Sequence, residues 1–497
     1  MDTQWFNDNE ARIPKNGVRT RFAPSPTGFM HVGGMRTALY SYLIAKSLGG
    51  TFILRIEDTD QARFVDGATE VIFKTLRGAG LIYDEGPDVG GPVGPYTQSE
   101  RKPLYRPYAE KLCEGGDAYY CFCGHVEHDE RDHSELGEVS LAADPCREID
   151  YSAAKTRAEN SEAHVIRMKT PREGTTTFND VIFGDITVEN KTLDDMVLIK
   201  GDNLPTYNFA NVIDDHLMGI THVMRGSEYL ASAPKYNLLY EAFGWDIPVY
   251  ATVSLIMRDA QHKLSKRHGD PTYEDLLAQG FLQEAVINYV ALLGWSPGGE
   301  REMFTLAELA AEFKLTGISK SPAIFDMAKL RYFNAEYIRA MEPAEFVKLA
   351  EPYIRQAVKS DKTDIAALAE LIQPRCEVLT EIPEKLDFID VLPEYSTELY
   401  VHKKSKTNEE ISLDVLRRVR AALEGSAEWT RDGIVAVCEA LAAQMEAKNA
   451  HVMYPLRIAV SGRSVTPGGA TELCEILGRE ESLRRIDAGI AMLEAKA

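Results

Sequence analysis

The stretch RFAPSPTGFMHVGG, residues 21–34, decides the fold that the sequence predicts. Before it, residues 18–23 alternate branched or aromatic side chains with polar ones, as a β-strand does. Pro24 and Pro26 end that strand, because each fixes φ and lacks an N–H donor. After the glycines, residues 35–46 place apolar side chains at helical spacing. The stretch therefore predicts a strand, a tight loop and a helix.

The loop between this strand and this helix is suited to binding an anion. The first N–H groups of a helix are unpaired and carry the positive end of its dipole. Gly28, Gly33 and Gly34 allow the backbone to approach a ligand closely, and His31 can donate a hydrogen bond to it. A glycine-rich turn taken alone is more typical of an ordinary strand-to-helix connection, which is the preferred interpretation of this stretch by itself.

A second strand follows at residues 51–56, TFILRI, an apolar run that contains one charge. Strand, helix and strand at this spacing predict a βαβ unit and hence a parallel sheet. Ligands of such sheets bind at the carboxyl ends of the strands, where residues 21–34 and Glu57 would both emerge. The four residues 57–60 could bind a cation, but a solvated turn before a helix at 67–78 is the preferred interpretation.

Length and composition limit the class of protein. A chain of 497 residues is too long for one core and should contain about three or more domains. No apolar run approaches a membrane span, and residues 1–17 form a polar extension with no targeting signal. Seven cysteines, an odd number, argue for a reducing compartment and against a disulfide framework. A net charge of −21 does not suggest a passive nucleic-acid binder, although basic residues can gather on one face.

The rest of the sequence divides into segments with loop, strand or helix patterns. Residues 84–98 are rich in Gly and Pro and predict a long loop that leaves the parallel sheet. A strand at 220–225 and a helix at 228–243 then predict a second part of the same sheet. The segment at 100–205 is therefore an insertion that splits one domain into two halves. From residue 273 onward the pattern is helical almost throughout, which predicts a bundle of short helices.

Three cysteines form a possible zinc site. These are Cys121, Cys123 and Cys146, and the fourth ligand would have to be a histidine between them or Glu148. Ordinary thiols are the preferred interpretation, and we expect zinc to be absent.

Two other polar segments allow more than one interpretation. The triplet Asp214-Asp215-His216 could bind a metal, but a helix cap with satisfied partners is preferred. Residues 257–269, MRDAQHKLSKRHG, form a basic segment of the kind that is usually a solvated turn. Its interest depends on whether it lies near the anion site.

Five segments, RFAPSPTGFMHVGG, RIEDTD, LPTYNFANVIDDH, MRGSEYL and KLSKR, occur in this order. Together they resemble the class I aminoacyl-tRNA synthetases, and most closely the bacterial glutamyl-tRNA synthetases. HVGG matches the HIGH motif and KLSKR the KMSKS motif. The final His of HIGH is Gly34 here and KMSKS ends in Arg267, both usual variants among the glutamyl enzymes. Zinc-binding members carry a further His or Cys where this chain has Glu148.

This resemblance implies a two-step reaction. L-Glutamate and ATP with Mg²⁺ would form glutamyl-adenylate and pyrophosphate, and the glutamyl group would then pass to tRNA(Glu). In-line attack on phosphorus builds charge on phosphate oxygens, so catalysis depends mainly on positioning and fixed positive charge. The catalytic residues implied by the family are His31, Lys263 and Lys266. The implied ATP-binding residues are Pro24, Thr27, Gly28, His31, Gly33, Gly34, Lys263, Ser265, Lys266 and Arg267.

The resemblance also implies an amino-acid pocket. Glu57 would bind the α-amino group, and Arg21, Tyr207 and Arg225 would bind the side-chain carboxylate. The implied pocket consists of Arg21, Ala23, Ser25, Glu57, Tyr207, Asn211 and Arg225. Arg375 matches a family position implicated in distinguishing glutamate from glutamine anticodons.

The implied fold is α/β, with a Rossmann-like class I synthetase catalytic domain split by an α+β insertion and followed by all-α tRNA-binding domains. The expected domains are a polar N-terminal extension (1–17), a first catalytic half (18–99), an insertion that binds the tRNA acceptor end (100–205), a second catalytic half (206–256), a stem-contact domain with the KLSKR loop (257–340) and two anticodon-binding helical domains (341–395 and 396–497). We expect a cytoplasmic monomer that binds tRNA(Glu) and L-glutamate and no membrane.

Parts of this sequence are also compatible with functions other than charging of tRNA(Glu). An enzyme that also glutamylates tRNA(Gln) is the alternative, and it would differ by anticodon reading. Arg225 argues against a glutamine-charging enzyme. A relative that modifies a tRNA nucleoside lacks the helical C-terminal part, and a small-molecule nucleotidylyltransferase has no use for an anticodon domain. A non-enzymatic tRNA-binding relative should have lost His31 or Lys266, and this chain retains both.

Overall fold

The computed structural model describes residues 3–59, 65–123, 144–264 and 269–496. These form two compact units, residues 1–276 with 286–326 and residues 277–285 with 327–497. The strands are β1 (Arg19–Phe22), β2 (Thr51–Leu54), β3 (Ala118–Cys121), β4 (Val165–Met168), β5 (Thr175–Asp180), β6 (Gly184–Glu189), β7 (Val197–Ile199), β8 (His222–Gly226), β9 (Val249–Val253), β10 (Ile256–Met257) and β11 (Ala323–Ile324). The helices are α1 (Thr3–Glu10), α2 (Val32–Ser47), α3 (Ala68–Gly78), α4 (Lys102–Gly115), α5 (Tyr151–Glu159), α6 (Tyr207–Leu217), α7 (Ala233–Phe243), α8 (Tyr273–Ala278), α9 (Gln283–Leu292), α10 (Leu306–Glu312), α11 (Met327–Ala340), α12 (Pro343–Ala357), α13 (Ile365–Ile372), α14 (Ile382–Leu386), α15 (Glu409–Glu424), α16 (Arg431–Gln444), α17 (Asn449–Ser461) and α18 (Ala470–Glu494).

A six-stranded sheet runs through the first unit in the order β2-β1-β8-β9-β5-β6. In this order, β2, β1, β8, β9 and β5 run parallel to one another, and β6 is antiparallel to β5. β1 and β2 pair from Arg19 opposite Thr51 to Phe22 opposite Leu54, with α2 between them in the chain. This confirms the predicted βαβ unit and parallel sheet. Because β1, β2 and β8 run in one direction, the segments that leave them emerge at the same edge of the sheet.

The insertion predicted at residues 100–205 is divided between two sheets. β3, β4 and β7 form a separate antiparallel sheet, whereas β5 and β6 join the main sheet next to β9. The stem-contact region predicted at 257–340 is also divided, because residues 257–276 and 286–326 belong to the first unit and residues 277–285 and 327–340 to the second. Local sequence patterns report strands and helices, but they do not report which sheet or core each element joins.

The predicted polar extension contains a helix that is docked on the first unit. In α1, Phe6 is buried and its ring lies 5.0 Å from that of Tyr108. The Glu10 carboxylate lies 3.0 Å from Nε2 of His216. Arg12, which follows α1, donates to the carbonyl of Gly94 at 3.1 Å.

The second unit is helical and has its own core. α12, α13 and α15 to α18 supply most of its buried apolar side chains. Arg485 is fully buried among them, where it donates to the carbonyls of Phe388, Ile389 and Val460 at 2.7 Å. The predicted helical C-terminal part is therefore confirmed. Among the described helices, none combines the length and apolarity that a bilayer span requires.

Candidate active site

Charged side chains from four elements meet at the carboxyl edge of the main sheet. Arg21 lies in β1, Arg55 and Glu57 follow β2, Asp215 lies in the last turns of α6, and Arg225 lies in β8. Each exposes 7% of its surface or less. Buried charges are costly unless they are paired and hydrogen-bonded, so their partners decide what this cluster can do.

Asp215 pairs with two of the arginines. Arg21 Nε donates to Asp215 Oδ1 at 3.0 Å, and Arg55 Nη1 donates to the same oxygen at 2.7 Å. Arg55 Nη2 also donates to Glu57 Oε1 at 2.9 Å. Burial alone would raise the pKa of Asp215, but Arg21 and Arg55 outweigh it and the pKa is lowered. For Glu57 the desolvation outweighs Arg55, and the pKa is raised.

Arg225 has no such partner. Its Nε and Nη2 atoms are buried and meet no hydrogen-bond acceptor in the described part of the chain. The guanidinium lies 4.1 Å from the ring centre of Tyr250 and 5.4 Å from that of Tyr236. The aromatic faces stabilise the cation without using its N–H donors. Three arginines and two carboxylates thus leave one buried positive charge available to an anion.

Tyr207 and Asn211 lie in the first turns of α6, beside this cluster. Tyr207 exposes 37% of its surface, and desolvation of its hydroxyl, followed by the charge of Glu57, raises its pKa above the ordinary value. Asn211 is buried and donates from Nδ2 to the carbonyl of Tyr207 at 2.9 Å, and the neighbouring Asn208 accepts from the hydroxyl of Tyr236 at 2.6 Å. The structure therefore brings Arg21, Glu57, Tyr207, Asn211 and Arg225 together. Ala23 is half-buried and Ser25 exposed in the loop that follows β1.

His31 caps the N-terminus of α2, where the sequence predicts an anion site. Its Nδ1 accepts from the N–H of Gly33 at 3.0 Å, which leaves Nε2 as the donor, 3.2 Å from the carbonyl of Leu264. A Cβ at position 33 would lie only 3.0 Å from the His31 ring, so glycine fits there best. Gly28 has φ +107°, which side chains rarely adopt. The remaining predicted phosphate-loop residues are half-buried or exposed in the same segment: Pro24, Thr27 and Gly34.

The start of the KLSKR segment lies against this helix terminus. Lys263 is exposed and bridges to Met257, and Leu264 is buried with its N–H bonded to the carbonyl of Ile256 at 3.0 Å. The His31 contact therefore joins the two predicted phosphate-binding segments. The predicted residues Ser265, Lys266 and Arg267 lie outside the described residues.

Two sequence interpretations are corrected by the structure. Residues 57–60 do not begin as a solvated turn, because Glu57 is buried against Arg55 and Asp58 accepts from the N–H of Ser99 at 2.8 Å; Asp60 lies outside the described residues. The Asp214-Asp215-His216 triplet is not a helix cap, because it occupies the last turns of α6. Asp214 is fully buried there and accepts from Arg101 Nε at 2.6 Å. Helical spacing alone does not reveal such long-range partners.

Arg375 lies in the second unit, at the end of a short 3₁₀ helix after α13. Its side chain is exposed overall, and Nη1 donates to the carbonyl of Pro467. The remainder of the guanidinium can contact a ligand on this surface of the unit.

The three candidate zinc cysteines gather around a fourth donor that sequence reasoning missed. One potential ligand atom from each of Cys121, Cys123, Cys146 and Asp144 lies within 4.8 Å of the others. Cys121 Sγ lies 2.8 Å from Asp144 Oδ2, and Cys123 Sγ 3.2 Å from Cys146 Sγ. The expected fourth ligand was Glu148 or one of the histidines at 125, 128 and 133, which lie outside the described residues. Asp144 carried no signal in the sequence, because no spacing rule singled it out.

Sequence reasoning also missed residues that support the pocket. Arg55 had a visible signal, a charge inside an apolar strand, which indicates a buried ionic partner. Tyr236 and Tyr250 had none, because they contact Arg225 only after α7 and β9 pack beside β8.

Comparison with known proteins identifies close relatives over nearly the whole chain. A family model for the catalytic domain of class I tRNA synthetases (E and Q) matches residues 17–332, and an anticodon binding domain matches residues 345–490. The glutamate–tRNA ligase of Clostridium botulinum strain Hall is 55% identical over 482 residues, 97% of this chain and 99% of the relative. That of Clostridium novyi strain NT is 54% identical over 480 residues, 96% of this chain and 98% of the relative. A crystal structure of a glutamate tRNA ligase from Elizabethkingia meningosepticum, in complex with its amino acid, superposes with a TM-score of 0.86 at 35% identity, covering 96% of this chain and all of that one.

Proposed function

Since this chain belongs to the glutamate–tRNA ligase family of class I aminoacyl-tRNA synthetases, we propose how its own residues attach L-glutamate to tRNA(Glu). The α-carboxylate of glutamate attacks the α-phosphorus of ATP, and pyrophosphate leaves. The glutamyl group of the adenylate then passes to the terminal adenosine of the tRNA, and AMP leaves. The buried cluster at the sheet edge binds the amino acid, and the N-terminus of α2 binds the phosphates.

The unpartnered guanidinium of Arg225 is the observation that carries this proposal. A buried cation without hydrogen-bond partners is expensive, so the site is built for an anion that supplies them. The side-chain carboxylate of glutamate offers two acceptor oxygens to the arginine donors, a pairing that is strong and geometrically specific. Glutamine has nearly the same shape but presents an NH₂ group that these donors reject. Arg21 and Tyr207 would bind the same carboxylate from the β1 and α6 sides.

Glu57 would bind the α-amino group of the substrate. Among the described residues, its carboxylate is hydrogen-bonded to Arg55 alone, through Oε1, so Oε2 remains for an ammonium group. Glutamate as a zwitterion carries a net charge of −1, which balances the one unpaired positive charge of the pocket. Asn211 would support the pocket wall through the carbonyl of Tyr207.

Phosphate chemistry would take place between His31 and the KLSKR segment. Backbone N–H groups at the start of α2 would stabilise charge on the phosphate oxygens, and His31 would join them when its Nε2 donor turns from the Leu264 carbonyl to a phosphate oxygen. Lys263 and Lys266 would neutralise the departing pyrophosphate, and Mg²⁺ would enter with the ATP phosphates. The Nε2 contact with the Leu264 carbonyl supports this arrangement, because it places the start of the lysine segment at the helix terminus.

Substitution of Arg225 tests the pocket. We expect Arg225→Ala and Arg225→Cys to raise the KM for glutamate about a hundredfold, because charged hydrogen bonds worth about 3 kcal/mol are lost. The KM for ATP should change little, and the preference for glutamate over glutamine should narrow. Steady-state pyrophosphate exchange in the presence of tRNA gives all three quantities.

A matched control uses another buried arginine of the same sheet. Arg19 is 4% exposed and pairs with Glu85 at the amino end of β1, away from the proposed pocket. Arg19→Gln should lower stability without a selective change in the KM for glutamate. An unchanged glutamate KM in both Arg225 variants would remove Arg225 from the pocket.

Anticodon reading is proposed for the helical unit, with Arg375 as one contact. Bases in a single-stranded anticodon are read by stacking and by hydrogen bonds on their Watson–Crick edges, which an exposed arginine can supply. The alternative, an enzyme that also glutamylates tRNA(Gln), is decided by charging both purified tRNAs. Efficient charging of tRNA(Gln) would establish the broader activity.

We also propose that Cys121, Cys123, Cys146 and Asp144 hold a structural zinc ion. Three thiolates and one carboxylate are a donor set that suits tetrahedral Zn²⁺, and Asp144 supplies the fourth ligand that the sequence reading lacked. Elemental analysis of the purified protein should find about one zinc per chain, which Cys146→Ser should lose. Cys113→Ser, at a buried thiol outside this cluster, should retain it. A zinc-free wild-type protein, purified without chelators, would refute the site.

The protein is proposed to act as a monomer in the cytoplasm. None of the seven cysteines, all of which lie in the described residues, forms a disulfide bond, as expected in a reducing compartment. Light scattering of the purified protein, with and without tRNA, measures the oligomeric state.

A further inference from the structure

Asp215 lies at the centre of the buried ionic cluster. Both of its carboxylate oxygens contact arginine side chains. Its Oδ1 accepts from Arg21 Nε at 3.0 Å and from Arg55 Nη1 at 2.7 Å, and Oδ2 lies 3.2 Å from Arg21 Nε. Asp215 is 2% exposed and Arg55 fully buried. Neither residue has a role in the proposed catalysis, and neither can exchange these partners for water.

The two arginines connect Asp215 to both ends of the proposed amino-acid pocket. Arg21 extends on to the carbonyl of Met224 at 3.2 Å and so lies next to Arg225, where the side-chain carboxylate would bind. Arg55 extends in the other direction and holds Glu57 Oε1 at 2.9 Å, where the α-amino group would bind. The Asp215 carboxylate therefore holds Arg21, a donor for the side-chain carboxylate of the substrate. Through Arg55 it also holds Glu57, the acceptor for the α-amino group.

We propose that Asp215 is a positioning residue that sets the distance between the two ends of the amino-acid pocket, acting through Arg21 and Arg55, and thereby selects an amino acid of glutamate length. Aspartate carries the same charges but is one methylene shorter, so it cannot reach both ends when their separation is fixed. Charge alone does not distinguish the two amino acids, because Arg225 pairs equally well with either carboxylate. The inference rests on the proposed roles of Glu57, Arg21 and Arg225.

Asp215→Asn tests this role, because the amide keeps the shape of the carboxylate but loses its charge. We expect the KM for glutamate to rise about tenfold or more, while the KM for ATP stays within about twofold. The preference for glutamate over aspartate, measured as the ratio of kcat/KM in tRNA-dependent pyrophosphate exchange, should fall by at least about tenfold. A purely structural role would lower the amount of active enzyme without changing this ratio.

Asp214→Asn is the matched control. Asp214 is the adjacent residue of α6, equally buried, and it is held by Arg101 at 2.6 Å, Gln98 at 3.0 Å and Tyr105 at 3.0 Å, with Arg55 only at 3.9 Å. The Asp214→Asn variant should be destabilised about as much as Asp215→Asn. Its ratio of kcat/KM for glutamate over aspartate should change less than about twofold. An equal fall of the ratio in both variants, or no fall in Asp215→Asn, would overturn the proposal.

Arg55→Lys provides a second variant if Asp215→Asn does not fold. The lysine keeps the charge but cannot bond Asp215 and Glu57 in the same forked geometry, so the glutamate KM should rise and the preference over aspartate should fall. Unchanged values in a folded Arg55→Lys protein would contradict the proposal. If Arg225→Ala raises the glutamate KM while Asp215→Asn and Arg55→Lys do not, only the positioning role fails. If none of the three does, the pocket itself is misplaced.

Discussion

At the scale of single residues, Glu57 should determine how amino-acid binding depends on pH. Desolvation raises its pKa above the ordinary value of a glutamate, so Glu57 takes up a proton at a higher pH than exposed carboxylates do. Protonated Glu57 cannot attract an ammonium group. We therefore expect the KM for glutamate to rise as the pH falls through this raised pKa, before the substrate carboxylate protonates near about pH 4.

Measurement of the glutamate KM from pH 8 down to pH 4.5, the ordinary pKa of a glutamate side chain, checks this expectation. Glu57→Gln is the control, and its KM should be high and nearly independent of pH. A KM for the wild-type protein that stays flat across this range would exclude Glu57 as the ammonium partner.

Lys266 is the residue on which adenylate formation should depend most. Lys266 matches the second Lys of the KMSKS motif, so its positive charge is predicted to contact the leaving pyrophosphate. Loss of one such contact costs about 3 kcal/mol, or roughly a hundredfold in rate. We expect Lys266→Ala to lose most pyrophosphate exchange with an unchanged thermal midpoint. Lys191→Ala, at an exposed lysine paired with Glu189, is the control and should keep full activity. Normal exchange in Lys266→Ala would mean that KLSKR is a solvated turn.

At the scale of elements, α1 illustrates how a polar segment can contribute to stability through two apolar residues. Trp5 and Phe6 pack edge to face at 4.9 Å, and Phe6 also contacts Tyr108. Phe6→Ala should lower the free energy of unfolding of the first unit by about 3 kcal/mol, because a buried aromatic ring is removed. Urea denaturation followed by tryptophan fluorescence measures this loss. Gln4→Ala, at an exposed position of the same helix, should change stability by less than about 0.5 kcal/mol.

The βαβ element was predictable and the sheet around it was only partly so. The strand at residues 18–23, the helix that follows it and the strand at 51–56 were recovered because periodicity, proline and glycine act locally. β5 and β9 were not predicted, and the placement of β5 in the main sheet was missed. Strand pairing depends on contacts between distant segments, such as Asp180 opposite Tyr250.

At the scale of the whole molecule, the division into two units predicts that amino-acid activation and tRNA reading depend on different parts of the chain. A chain ending at Asp326 lacks the anticodon-domain match at residues 345–490, and we expect it to lose charging of tRNA(Glu). The cut at Asp326 precedes α11 and therefore leaves that helix undivided. Aminoacylation by the truncated and full-length proteins measures the loss. In the full-length protein, equal charging of cognate and anticodon-exchanged tRNAs would refute anticodon reading by the helical unit.

The sequence by itself determined the parallel βαβ unit, the helical C-terminal part, the family resemblance and most residues of the proposed pocket. These follow from short spacings and from residue types that only a few structures or chemistries use. The tertiary structure decided that Asp215 joins Arg21 and Arg55, that Asp144 lies with the three cysteines, and that Nε and Nη2 of Arg225 are buried without an acceptor among the described residues. Arg21 and Asp215 are 194 positions apart, and nothing in the local pattern of either residue specifies the other. Ionic partners and burial depend on which elements pack together, and that is fixed only when the whole chain folds.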